Sequence, residues 1–544
     1  MRAPHAVRAP LADARRASGR SGRRRGLAPS LSALAALAIL VWATCAQPAG
    51  AATLHARRAA GPLTRAGDAA APGHLIGVAF DPLDPGPPVP QRFLGLSFEA
   101  GALGQLARYA NRGDLVRLLR SLGSGVLRFG GITADQNVAW TDAATPRPAW
   151  ASATIDAADL RAIGVLARRS GWRVLLTVGM AHYEPEAAAR EVAAAHSALG
   201  PYLAAVEIGN EPDAYGRHGL REMPWIAQGY EEQVSAYREA IGALTPGVPI
   251  AGPDVTGPGV FAEWGAAEAL AQTPALLTGH HYPLGCAQHP PPSIATLLSP
   301  FMRDREARSL ATYLSVSRAS GIPLRIDETN TVSCGGVAGI SNAFASALWA
   351  STFIAQAMAA GASGINLQGN PSNCAGYTPL CAPDASALAA GRLRAEPEWY
   401  ALLLASSLAG DRPLPTTVTD EGEPAGEPNL PVFSFMAPDH TVRVLLADDE
   451  PPGSAPLRIR LGVGPGVGSV SVLGLTAPSP TATGGVLLGG RAVAAKGSWL
   501  PAQRLPIVAA HAGLVSVVLA PGSAALLSTR PPAARGRRRR VRGR

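Results

Sequence analysis

Two glutamates in this chain have neighbours suited to carboxylate chemistry. Glu211 closes the run Val206-Glu207-Ile208-Gly209-Asn210-Glu211-Pro212, and Glu328 lies in Leu324-Arg325-Ile326-Asp327-Glu328-Thr329-Asn330. Both runs begin as short apolar stretches with β-branched residues, the pattern of buried parallel strands. A single glutamate in such a place is an ordinary solvated loop residue. Two of them can flank one bond. Retaining glycoside hydrolysis uses such a pair about 5–5.5 Å apart: one carboxylate attacks the anomeric carbon, and the other protonates the departing oxygen and later activates water. Asn210, beside the first glutamate, can donate to a sugar 2-hydroxyl, a contact that strengthens in the transition state.

The pair needs a scaffold that brings the two strand ends together. Strand-like runs at residues 93–99, 126–131, 173–180, 203–211, 249–255, 276–283, 323–330 and 365–370 alternate with helical runs. The helices include a short one near Ala266 and one over 307–320. Eight strand–helix units in series specify a (β/α)8 barrel over 91–410, whose active site lies at the C-terminal ends of the strands. Glu211 then ends strand four and Glu328 strand seven, facing each other across the mouth. Glu99, Arg128, His280 and Tyr282 fall at or near other strand ends.

After residue 410 the pattern changes to short strands at 432–436, 441–447, 457–461 and 515–519, separated by turns rich in Gly, Pro, Asp and Ser. This predicts an antiparallel β-sandwich over 411–530. A strand-like run at 74–79, within the segment 73–90, is expected to join it, and 52–72 reads as a linker.

The formal charge of +9 sits at the ends. Residues 1–51 hold eight arginines against one aspartate, and the tail 531–544 holds seven arginines and no acid. The body between is mildly acidic, with Lys496 as its single lysine, which argues against nucleic-acid binding by the folded part. The tail reads as a disordered, solvated segment able to touch anionic polymers. Near the N-terminus, Arg23-Arg24-Arg25, an apolar stretch over 31–46 and the small residues Ala49-Gly50-Ala51 have the layout of a signal peptide spanning 1–51, so a secreted or cell-surface protein is expected. A retained anchor is the other reading, although the stretch is short for a membrane span.

Cys45 would leave with that signal. The remaining four, Cys286, Cys334, Cys374 and Cys381, permit two disulfides in an exported protein. The loops after strands six and seven could join Cys286 to Cys334, and Cys374 and Cys381 could close one loop. Zinc is disfavoured by the spacing. A metal on His280, His281 and His289 is the weaker reading beside hydrogen bonding to carboxylates or sugar, and no metal or cofactor is expected. Trp349 and Trp399 fall at helical positions and read as core.

The glutamate segments resemble a clan of retaining glycosidases with catalytic glutamates on strands four and seven. Within it, the chain resembles glycoside hydrolase family 79, the β-glucuronidases and heparanases, over most of the barrel. The resemblance rests on Phe93-Leu94-Gly95-Leu96-Ser97-Phe98-Glu99, on Val126-Leu127-Arg128-Phe129-Gly130-Gly131 with Thr133 and Asp135, on Gly209-Asn210-Glu211-Pro212, and on Asp327-Glu328-Thr329-Asn330 followed by Val332-Ser333-Cys334-Gly335-Gly336. It implies a barrel with a β-sandwich, Glu211 as acid/base and Glu328 as nucleophile. It also implies that Glu99 and Tyr282 line the sugar subsite, and that Gly376 and Tyr377 hold a uronate carboxylate through backbone N–H groups and the phenol. Where well-known members carry a tyrosine after the nucleophile, this chain has Ser333, whose smaller hydroxyl weakens the case for glucuronate and leaves room for a different or a 4-O-substituted sugar. Arg128 is the candidate cation for the carboxylate, with a structural ion pair as its other reading.

The expected substrate is therefore a glucuronoside or uronate-containing glycan, cleaved by an exo-acting β-glucuronidase. The alternatives are a heparanase-like endo-glycosidase, disfavoured by the acidic body, and a non-catalytic cell-surface carbohydrate-binding protein, which would need neither glutamate.

Overall fold

The computed structural model describes residues 75–421, 428–502 and 504–530. The expected signal peptide, the linker and the arginine-rich tail lie outside these residues. Among the described residues, no helix is long and apolar enough to cross a membrane.

Eight parallel strands close into a barrel in sequence order: Leu94–Glu99, Val126–Gly130, Arg173–Val178, Leu203–Ile208, Ile250–Val255, Leu276–His281, Leu324–Thr329 and Gly364–Gln368. The ring closes where Ile365 on the last strand pairs with Leu94 on the first. Along most of each strand the period-two rule holds, one face meeting the surrounding helices and the other the lumen; irregularities near the ends of the fifth and seventh strands bring Asp254 and both Asp327 and Glu328 to Arg128. At the bottom, Val126, Leu175, Ala205 and Ala251 form a small apolar layer. Two residues further along three of these strands come Arg128, Thr177 and Glu207, all buried. The lumen thus becomes polar towards its C-terminal end, where a site is expected.

Several strands end earlier than their sequence runs suggest. The fourth stops at Ile208, because Gly209 takes φ 81° and Glu211 φ 49°, which breaks the extended backbone before the glutamate. The helix after the fifth strand is not short but spans Pro258–Ala271. The helix after the sixth strand spans Pro300–Ser320, nearly two turns longer than the apolar periodicity indicates. Its start is set by Ser299, whose side chain accepts the Met302 N–H, and by Pro300 in the first turn, where its missing N–H costs nothing.

The C-terminal region contains two sheets. Leu75–Phe80 pairs antiparallel with Thr416–Asp420 and parallel with Leu457–Gly462, which in turn pairs with Leu514–Leu519. The larger sheet is built around Val442–Asp448, Ser523–Arg530 and Ser469–Thr476. Alternate residues of the two sheets share one core: Ile76, Ile459, Leu461 and Val517 from the first, with Val444, Val472, Ala525 and Leu527 from the second. Sheets packed face to face in this way form a sandwich. The parallel pair makes it mixed rather than purely antiparallel.

Candidate active site

Glu211 and Glu328 both open onto a cleft of about 770 Å³ at the C-terminal end of the barrel. They also share a neighbour. His280 Nδ1 lies 2.9 Å from Glu211 Oε1 and 4.0 Å from Glu328 Oε1. Those two oxygens are therefore at most about 7 Å apart, compatible with the roughly 5–5.5 Å of retaining pairs and short of most of the roughly 6.5–9.5 Å range of inverting pairs.

The two carboxylates are held differently. Glu328 accepts from Arg128 Nη1 at 2.7 Å and from the Tyr282 hydroxyl at 2.7 Å. Its side chain is 10% exposed, against 29% for Glu211. Among the described residues, the Glu211 carboxylate has the His280 imidazole as its one hydrogen-bond partner, and its backbone N–H donates to the Asp254 carbonyl. Glu211 and Asp254 both have left-handed backbones, with φ of 49° and 59°. Such residues cost on the order of 1–3 kcal/mol each and persist where the surroundings hold them. Here each helps to hold the other.

Beneath the pair, the Arg128 guanidinium is completely buried. It lies 2.8 Å from Glu207, 2.7 Å from Asp254, 3.0 Å from Asp327 and 2.7 Å from Glu328, and it also donates to Ser97 and Asn210. Burial opposes its charge, but these carboxylates outweigh that and raise its pKa well above the ordinary value. His280 behaves alike: burial opposes the imidazolium, yet Glu328, Asp254 and Asp327 hold its pKa well above the usual histidine value. Its Nε2 lies 2.8 Å from Asp254 Oδ1, so Asp254, His280 and Glu211 form a line. Burial likewise opposes ionisation of Asp327, and Arg128 overcomes it, drawing the pKa well below the carboxylate range. Asp254, His280 and Asp327 have ligand-type atoms close enough to share a metal ion, but the Arg128 charge already contacts both aspartates.

Arg128 is therefore not a ligand for a substrate carboxylate, contrary to one of its two sequence readings. It lies under the cleft with its donors committed. Its effect on substrate is indirect: accepting Arg128 Nη2 on Oδ1 leaves the Asn210 amide NH2 for the cleft that Asn210 lines. Asp135 holds the same segment from behind, accepting from the N–H groups of Met180, Ala181 and Asn210 and from the Tyr215 hydroxyl.

On the rim, Glu99, Tyr282, Ser333, Gln368 and Tyr377 line the cleft. Glu99 accepts from the Thr133 N–H and hydroxyl; burial, then the Glu328 charge, push its pKa up. The Tyr282 and Tyr377 rings stack at 5.9 Å, with their hydroxyls 3.4 Å apart. Burial first and then Glu328 raise the pKa of both phenols, so both remain donors. Two expected contacts are absent. The Tyr377 N–H is committed to the Gly335 carbonyl at 3.1 Å, and Gly376 is not among the residues lining the cleft. Instead, Gly376 permits a close approach: a Cβ there would lie 2.2 Å from the Gly335 oxygen. The Ser333 hydroxyl accepts the Cys286 N–H at 3.2 Å.

Cys286–Cys334 and Cys374–Cys381 are disulfide-bonded, in the pairing expected from loop placement. The first bridge joins the loops carrying Tyr282 and Ser333. The second closes the loop carrying Tyr377.

No family model and no curated protein matches the sequence. Solved structures do match. One is a 4-O-α-L-rhamnosyl-β-D-glucuronidase from Fusarium oxysporum, with TM-score 0.66 and 18% identity over 84% of this chain and 100% of that one. The chain has the fold of a TIM-barrel glycoside hydrolase. A GH51 arabinofuranosidase from Xanthomonas axonopodis pv. citri matches with TM-score 0.60 and 13% identity over 84% of this chain and 100% of its own. The catalytic domain of GH30 xylanase C from Talaromyces cellulolyticus matches with TM-score 0.51 and 12% identity over the same shares. At such identities the likeness is one of fold.

Sequence reasoning missed Asp254, Glu207 and Gln368. Glu207 could have been found by the alternation rule, since a charged residue on the lumen face of a barrel strand needs a buried partner; Asp254 could not, because alternation from Ala251 points it outward and its left-handed backbone, φ 59°, turns it in. It also left Met302, Arg305, Glu306 and Ser309 outside the site. All four line the cleft from one side of the helix Pro300–Ser320, and the Ser299-Pro300 capping signal was the clue to the helix's early start.

Proposed function

We propose that the protein is a retaining β-glycosidase, and specifically an exo-acting β-glucuronidase, with Glu328 as nucleophile and Glu211 as acid/base. The observation that carries this reading is the unequal support of the two carboxylates around one cleft. Glu328, with two donors and little exposure, is held in one orientation for attack on the anomeric carbon. Glu211 is more open and bears one imidazole partner, so it can give its proton to the departing oxygen and then take one from an incoming water. The Asn210 amide is available to the sugar 2-hydroxyl.

The glucuronate preference rests on the rim. A uronate carboxylate needs donors to offset its desolvation, and the Tyr377 phenol and Ser333 hydroxyl, which line the same cleft, are neutral ones. The fungal neighbour is named for a 4-O-rhamnosylated glucuronide, and here a large cleft with a small residue at Ser333 favours acceptance of a 4-O-substituted glucuronate.

The test is a panel of 4-nitrophenyl glycosides, including glucuronide, glucoside and arabinofuranoside, with the product anomer followed by NMR. Glucuronide hydrolysis with retained β-configuration is expected. An inverted anomer overturns the mechanism. Preference for a neutral glycone overturns the glucuronidase assignment and leaves the mechanism standing.

A further inference from the structure

The cleft extends beyond the space around Glu328. It is also lined by His218, Thr256 and Pro258, and by Met302, Arg305 and Ser309 on one stripe of the helix Pro300–Ser320. Thr256 bonds Asp213, two residues after Glu211, and Pro258 opens the helix Pro258–Ala271, whose Phe261 packs on Tyr313 of the helix Pro300–Ser320, so these elements join the cleft from the Glu211 strand end. The leaving group departs on the side of the acid that protonates it, so this wall faces the aglycone. Most of its polar groups are already committed. The Thr256 hydroxyl donates to Asp213, and the Ser309 hydroxyl donates to the Arg305 carbonyl. The side chains of Arg305 and His218 make no hydrogen bond or ion pair with the described residues.

Arg305 is also the single lysine or arginine among the residues lining the cleft, which otherwise carries the carboxyl groups of Glu99, Glu211, Glu306 and Glu328. A neutral aglycone would leave its guanidinium fork without a use. An anionic one would meet bidentate donors there, in a cleft whose other formal charges would repel it.

We propose that Arg305 forms an aglycone subsite selecting leaving groups that carry a carboxylate or sulfate, so that the natural substrate is a glycoside joined to an acidic sugar or other anionic group. The proposal rests on the glycosidase reading above, with Glu211 marking the leaving-group side.

The experiment compares three glucuronides with the full chain: of 4-nitrophenol, of a carboxylated 4-nitrophenol and of a sulfonated 4-nitrophenol. For each enzyme the readout is the ratio of kcat/KM for a charged aglycone to that for the neutral one, which cancels leaving-group acidity when variants are compared. In R305Q this ratio should fall about 10- to 150-fold, the loss of one charge-assisted contact, chiefly through KM, and R305E should lower it further. The wild-type ratio should also decline between low and high salt as screening sets in. The carboxylated and sulfonated arms show which anion the fork prefers. A ratio unchanged by R305Q in both arms overturns the proposal. If wild type cleaves no glucuronide, the same three leaving groups are placed on the glycone accepted in the panel, so failure of the glucuronidase reading and failure of the aglycone subsite remain separable.

Discussion

The floor of the cleft and its rim solve opposite problems. On the floor, Arg128 and His280 are surrounded by Glu207, Asp254 and Asp327, buried in the lumen, and by Glu328, which also lines the cleft. Such a network costs much desolvation and gives back geometry: each member is held by several others, and removing one leaves charges buried without partners. The rim is made of strand ends and loops, with phenols, an amide, a serine and the Glu99 carboxyl, and two disulfides brace its loops. Apart from Tyr282, which donates to Glu328, its neutral donors can change without unbalancing a buried charge. On the proposed glycosidase reading, catalysis depends on the floor, and selectivity can be adjusted at the rim with little loss of stability.

The largest effect that could break this division concerns the two glutamates. Glu328→Ala should lower kcat by on the order of 10⁴- to 10⁶-fold, as removal of a nucleophile does elsewhere, and azide should rescue it with an α-glycosyl azide. Glu211→Ala should lose about 10²- to 10⁴-fold and give the β-azide. Exchanged products, read by NMR, would reverse the roles.

Next is the hub. Arg128→Met should destabilise the protein by about 3–5 kcal/mol, the usual cost of orphaning buried charges, measured by urea unfolding. Arg128→Lys keeps the charge without the fork; it should unfold later than the Met variant and still lose activity. Equal stability of all three proteins would show that the floor is not coupled as its distances indicate.

The rim gives a smaller and selective effect. Tyr377→Phe should lower kcat/KM for a glucuronide by roughly 10- to 150-fold while leaving a glucoside nearly unaffected. Equal losses would show that the phenol does not read the carboxylate.

A last contrast sets the floor against a buried carboxyl that has no cation among the described residues. Burial alone raises the pKa of Glu191 to about 8. Between the ordinary carboxylate range and that value, the folded state keeps a proton that the unfolded state has lost, so stability falls as pH rises, by at most about 1.4 kcal/mol per pH unit. Glu191→Gln should remove that slope, with the gain over wild type vanishing towards pH 4.5. Parallel stability curves from pH 5 to 8 would mean that Glu191 is ionised in the fold, unlike a carboxyl without a counter-charge.

The barrel could be read from the chain because each strand is a short apolar run ending in a break. Both glutamates could be found because strand ends define the mouth. What stayed hidden depends on contacts between strands. Nothing local to Arg128 says that it faces the lumen among four acids rather than a sugar. The Tyr377 N–H was lost to Gly335 through a loop contact that no spacing reveals. In the sandwich, the central strands Ser469–Thr476 and Ser523–Arg530 were obscured by serine, glycine and alanine, which suit the inner face of a packed sheet without marking it. The helix carrying Arg305 began early because a cap, rather than hydrophobic period, sets its start.

The first described strand has a consequence in time. Leu75–Phe80 finds its partners only in Thr416–Asp420 and Leu457–Gly462, with the whole barrel between them in sequence. A ribosome adding about 5–20 residues per second needs on the order of tens of seconds to deliver those partners. Throughout that interval Ile76 and Val78, later buried, have no sheet to enter, and the strand's edges are open to any other extended chain. The barrel can close during the wait; the sandwich cannot. Whatever shields this segment in the cell must act early and let go late.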